Sequence, residues 1–211
     1  MPSVPAMPPL PPHPPGLKAD IHVNIAEDGA IVVQRRKYSA RALRALLHEV
    51  AARHLDADGL ANIVVRINAH PECEFRYVAE AMAQCGAENI YKLQFRLGAE
   101  EEVIVNHLPI DAGIRRTPAQ KGADLRRATA SIGLKLDETS GELVMTGGRG
   151  AVRDARHLEK SLRQLAEKYD ELSVVIDAGA DVPFSHVFNA MRAARNAGAK
   201  DVQFRATPPG G

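Results

Sequence analysis

Hydrophobic positions recur along this chain with two periods, and the periods alternate in a fixed order. Ile21, Val23 and Ile25 alternate with polar His22 and Asn24, the spacing of a half-buried strand. Gly29 marks a turn, and Ile31 to Val33 supply the second arm of a hairpin. Leu43, Leu46, Leu47 and Val50 then fall on one helical stripe, with Ser39 placed to cap it. DADGLAN at 56–62 reads as a loop, and IVVRI at 63–67 as a buried strand. Phe75, Val78, Met82 and Cys85 share one face of a second helix, which Gly86 is expected to end. IYKLQF at 90–95 closes the series as a strand, giving the order ββαβαβ.

The same order returns. GLKL at 133–136, a turn at Gly141 and ELVM at 142–145 form a hairpin pattern. Asp154 can cap a helix carrying Leu158, Leu162 and Leu165. SVVID at 173–177 is a strand, Phe184, Val187 and Met191 stripe a helix that Gly198 closes, and DVQF at 201–204 is the last strand. Shifting the chain by 109 positions without gaps superimposes residues 65–96 on 174–205 with ten identities in 32 positions. Phe75 meets Phe184, Met82 meets Met191, and Gln94-Phe95-Arg96 meets Gln203-Phe204-Arg205. Helical spacing alone does not align the flanking strands as well, so the pattern points to a tandem repeat.

The expected fold class is therefore α/β (α+β): two copies of a small two-layer ββαβαβ domain, with helices packed on a mixed sheet. The copies span 20–97 and 132–206. Between them, 98–131 reads as a linker, with a short helical turn at ADLRRA (123–128). Residues 1–16 hold eight of the fourteen prolines and read as an extended, disordered arm.

Composition narrows the function classes. The 211 residues are 45% apolar and 25% charged, ordinary for a globular protein. A net charge of +1 gives no basic excess for nucleic acid, and 4% aromatics without Trp offer no stacking platform. No run of about 18 apolar residues predicts a membrane span, and no basic flank before an apolar run predicts a signal peptide.

Candidate chemistry is sparse. His70, Glu72, Cys73 and Glu74 cluster before a helix, but neighbours in one turn diverge, and the two glutamates suit a helix N-terminus. Cys85 lies on an apolar stripe and meets Ala194 in register, as a core thiol would. Ser185, His186 and Asp177 suggest a triad, yet adjacent helical residues do not face each other. TGGRG at 146–150 lacks the spacing of a phosphate loop and reads as a hairpin connection. Arg35-Arg36-Lys37 and Arg115-Arg116 are short basic patches that read as solvated charge, with anionic wall polymers or lipid heads as the alternative. No residue is assigned as catalytic, cofactor-binding or metal-binding. From the residues alone, a non-enzymatic binding domain and a soluble α/β enzyme or small-ligand-binding module both stay open.

The stretch VVIDAGADVPFSHVFNAMRAARNAGAKDVQF resembles the most recognisable part of the ExbD/TolR family. Val182-Pro183-Phe184 takes the family's turn, Val187 and Met191 its helix, and Ala197-Gly198 its exit. The first copy keeps the skeleton through Ile67, Ala69, Phe75, Val78, Met82 and Gly86. Gly179, and His70 in the first copy, stand where the family has an aspartate. The resemblance implies a periplasmic-type domain that acts without catalysis. It implies an accessory role in a proton-motive-force-driven complex of the cell envelope, on the periplasmic side of the bacterial inner membrane. The implied partner is a multi-span inner-membrane proton-channel protein, with peptidoglycan or another envelope protein as a further one. Because family members pair across a two-fold axis, the two copies are expected to form an internal pseudo-dimer, meeting at a strand edge.

Overall fold

The computed structural model describes residues 20–57, 59–97, 102–106, 127–137, 139–147, 150–152 and 154–207. The Pro-rich arm, Arg115-Arg116 and most of ADLRRA lie outside them.

The first half builds a six-stranded mixed sheet. β1 (Asp20–Ile25) pairs antiparallel with β2 (Ile31–Val33), which pairs antiparallel with β3 (Arg36–Tyr38). On its other side β1 runs parallel to β4 (Ala61–Ala69), and β4 parallel to β5 (Ile90–Leu97). β6 (Glu102–Asn106) adds antiparallel to β5, so the order is β3-β2-β1-β4-β5-β6. Helices α1 (Ala40–Ala52) and α2 (Phe75–Ala87) supply the crossovers into β4 and β5.

The second half builds a five-stranded mixed sheet. β7 (Arg127–Leu136), β8 (Leu143–Gly147) and β9 (Gly150–Val152) form a meander. After α3 (Ala155–Ala166), β10 (Glu171–Gly179) pairs parallel with β7; after α4 (Phe184–Asn196), β11 (Asp201–Thr207) pairs parallel with β10. The order is β11-β10-β7-β8-β9. Helices and mixed sheets thus combine as an α/β fold.

Periodicity explains which faces are covered. In β4, Ala61, Ile63, Val65, Ile67 and Ala69 are buried, while the intervening side chains are not. IVVRI is therefore covered on one face, by the helices, rather than on both. In β10 the same face carries Leu172, Val174, Ile176 and Ala178, and Val175 is also buried on the opposite one. The helical stripes point at these faces: Leu43, Leu46, Leu47 and Val50 from α1, and Phe184, Val187 and Met191 from α4, are all buried. Each fully buried Leu, Phe or Met contributes about 1.5–3 kcal/mol. The buried side chains of both halves form one contiguous apolar core.

The caps follow local chemistry. Ser39 Oγ accepts from the Ala42 amide at 3.2 Å, and Asp154 accepts from the His157 amide at 2.9 Å. Gly198 leaves α4 with φ +90°. In the first half the left-handed exit is not Gly86, which lies inside α2, but Asn89 at φ +56°. Asn89 is the register equivalent of Gly198, and asparagine tolerates this conformation better than other side chains. Three further differences from the sequence reading are strands: β3 and β9 extend each hairpin, and β6 lies in the stretch read as a linker. β7 also begins at Arg127, five residues before 132. Short strands of three to five residues carry too little period to announce themselves.

Candidate functional site at the paired helix entries

The turns leading into α2 and α4 face each other. Neither helix has a side-chain N-cap bond: Glu74 and Pro183 occupy the cap positions with extended backbone. Pro183 stands one position before α4. The first amides of a helix have no partner within it. Here they find partners in the other half. The Phe75 amide donates to the Val182 carbonyl at 2.8 Å and the Arg76 amide to the Ala180 carbonyl at 2.9 Å. In return the Phe184 amide donates to the Cys73 carbonyl at 2.8 Å and the Ser185 amide to the Pro71 carbonyl at 2.9 Å. Glu74 and Pro183 form an antiparallel bridge between them. Adding 109 to the first pair of donors gives the second pair, and subtracting 109 from the first acceptors gives the second acceptors.

The rings behind these turns obey the same relation. Phe75 lies 6.3 Å from Phe204 and Phe184 lies 6.2 Å from Phe95, between centroids, and Phe95 meets Phe204 at 5.9 Å. Among the described residues, the hydrogen bonds between the halves come from the helix entries, with the aromatic rings packed behind them.

The His70–Glu74 cluster lies in this junction, and its groups diverge. The His70 Nδ1 accepts from the Glu72 amide at 3.3 Å. Cys73 is buried and occupies the register position of Val182, also buried. Burial, with the Glu74 charge adding to it, pushes its thiol up to about 11. The Glu74 carboxylate turns outward to Arg76 at 2.8 Å, and the Arg76 guanidinium covers the Tyr77 ring at 4.8 Å. Among the described residues no group of three His, Cys, Asp or Glu is placed to hold one metal ion.

The remaining candidates are also separated. Asp177 sits between Ile176 and Ala178, which face the core, so it projects from the opposite face of the sheet to α4, where Ser185 and His186 lie. Cys85 is fully buried, and burial pushes its thiol up to about 12. Thr146 and Gly147 end β8, and Gly150, paired with Gly147, opens β9; Gly148 and Arg149 of TGGRG lie outside the described residues. Arg35, Arg36 and Lys37 are exposed at the β2–β3 turn.

The reciprocal capping escaped sequence reasoning. Its only trace was that Cys73-Glu74-Phe75 and Val182-Pro183-Phe184 fall in register, which shows equivalence but not contact. A second missed group is Glu88. Its carboxylate receives the Arg44 Nε at 2.8 Å and the His48 Nδ1 at 2.7 Å, tying the end of α2 to α1. Burial pushes Glu88 up, but the hydrogen bonds and charges of Arg44 and His48 outweigh it and hold the carboxyl below its ordinary range.

Among the described residues, the junction pairs two helix entries through their backbones. No described helix is long and apolar enough to cross a membrane. No curated protein matches the chain. Residues 109–209 match the family model described as biopolymer transport protein ExbD/TolR. Through this segment, which carries the α4 entry and spans just under half of the chain, the protein is similar to the ExbD/TolR family of biopolymer-transport proteins.

Proposed function

We propose that the chain is a tandemly duplicated, non-enzymatic ExbD/TolR-type component of a proton-motive-force-driven complex of the cell envelope, in which residues 20–97 and 132–206 act as an internal pseudo-dimer. It works on the periplasmic side of the inner membrane by binding a multi-span proton-channel protein, with an envelope protein or peptidoglycan as a further partner. The observation that carries the reading is the reciprocal capping of α2 and α4. Four amides and four carbonyls are exchanged under one offset of 109. An interface that satisfies equivalent groups on both sides is isologous, the form a two-fold pair takes.

Duplication within one chain frees the two outer surfaces to diverge. Glu74 stands where the second half has Pro183, and Tyr77 where it has His186. A pair of identical chains presents the same face twice, whereas this one presents two.

Crosslinking in cells tests the reading. The chain should join a polytopic inner-membrane protein, and deleting its gene should abolish an envelope process that a protonophore also abolishes. Crosslinks confined to soluble proteins, with every such process intact, overturn it.

A further inference from the structure

Between Asp28 and Glu49 the chain carries five Lys and Arg residues and no Asp or Glu, although its net charge is only +1. All five are exposed. Val33 pairs with Arg36, so Gln34 and Arg35 form a two-residue turn between β2 and β3. Both have left-handed backbone, at φ +48° and +66°. This is the turn that suits a twisted hairpin, normally built from Asn or Gly, and side chains such as these adopt it at a cost. It sets Arg35 at the tip of the hairpin. Arg36 and Lys37 follow on the edge strand, and Arg41 is exposed in the first turn of α1. Among the described residues none of these four cations has a hydrogen bond or ion pair. Arg44, one turn further along α1, is held by Glu88.

Beside the turn runs a shallow cleft. Ile21, Val33, Leu46 and Val50 line it together with His22, Gln34 and Asp20, the last paired with Arg66 at 3.2 Å. Unneutralised cations next to apolar side chains match a surface that is anionic outside and apolar just beneath. A wall polymer has the charge but no apolar layer. The second half lacks the feature: residues 138–157, offset by 109 from 29–48, carry Glu138, Glu142 and Asp154 beside Arg149, Arg153 and Arg156.

We propose that the β2–β3 hairpin tip and the start of α1 form a docking surface for an anionic lipid membrane, held by Arg35, Arg36, Lys37 and Arg41. Co-sedimentation of the full chain tests this. Vesicles of phosphatidylcholine with about a third phosphatidylglycerol should retain it, and pure phosphatidylcholine vesicles should not. Each basic side chain near such a surface is worth roughly 1 kcal/mol, or about fivefold in affinity. Combined Arg35→Glu, Arg36→Glu and Lys37→Glu should therefore weaken binding at least about tenfold. The same charge change at Lys135, Arg156 and Lys160 should leave it unchanged. Arg41→Gln, on a separate element, should weaken binding about fivefold, and it serves as the readout if the hairpin variant fails to fold. Equal binding to both vesicle types, equal losses from the two triple variants, or retention by poly(glycerol phosphate) without retention by vesicles overturns the proposal.

Discussion

The rings of Phe95 and Phe204 meet at 5.9 Å between centroids, tilted by 55°, although each belongs to a different sheet. They are equivalent positions, 109 residues apart, and they touch each other as well as the partner's helix-entry ring. The two sheets therefore share their innermost aromatic contacts.

A shared core unfolds as one. Phe204→Ala should cost about 3–5 kcal/mol, the usual range for a buried phenylalanine. Denaturant unfolding followed by circular dichroism should show a single transition, shifted to lower midpoint in the variant. Two separate transitions, with only one moved, show instead that the halves are energetically independent.

Met191 is fully buried and Met82 nearly so, both on the core faces of their helices. An unpaired carboxylate at either position costs several kcal/mol, comparable with the whole stability of a domain. Met82→Asp and Met191→Asp should each abolish the thermal transition. A wild-type melting curve from either removes that side chain from the core.

Cys73 and Cys85 are both buried and unbonded. Only the thiolate reacts readily, and burial has pushed the two thiols up to about 11 and about 12. Alkylation of the native protein at pH 8 should be slow at both. Unfolding without reductant should then expose two reactive thiols by mass spectrometry; a count below two in monomeric protein contradicts the structure.

The Glu88 carboxyl is held below its ordinary range in the folded state, so it binds its proton more weakly there than in the unfolded chain. Its contribution is complete above the unfolded value, near 4.3, and is lost as pH falls through the folded value. Glu88→Gln should be less stable than wild type at pH 7, by about 1–2 kcal/mol. The difference should shrink below about pH 4. A gap that stays constant from pH 7 to pH 3 means that the Arg44 and His48 contacts do not stabilise the fold.

Much of the fold was legible because it is locally determined. Backbone geometry repeats every 3.6 residues in a helix and every two in a strand. Leu43, Leu46, Leu47 and Val50 had to share a face once α1 formed, and Val23 and Ile25 had to point the same way along β1. The Ser39 and Asp154 caps and the Gly198 exit were equally local, each satisfied within a few residues. The helix exit at Gly86 misled because glycine there invited a stop that Asn89, three residues on, supplies.

The candidate site was legible only as a coincidence of register. The chain's own pattern placed Phe75 and Phe184 on the stripes of two helices and put Glu74 and Pro183 in register. Only the tertiary structure decided that the Phe75 amide finds the Val182 carbonyl and the Phe184 amide the Cys73 carbonyl. A helix entry leaves its amides unsatisfied but does not specify the acceptor, which can be a side chain, water or another backbone. Here the acceptor lies more than a hundred residues away, beyond the reach of any local period. The same holds for Glu88, whose partners Arg44 and His48 arrive from a helix about forty residues earlier, and for β6, which pairs with the edge that β5 leaves open.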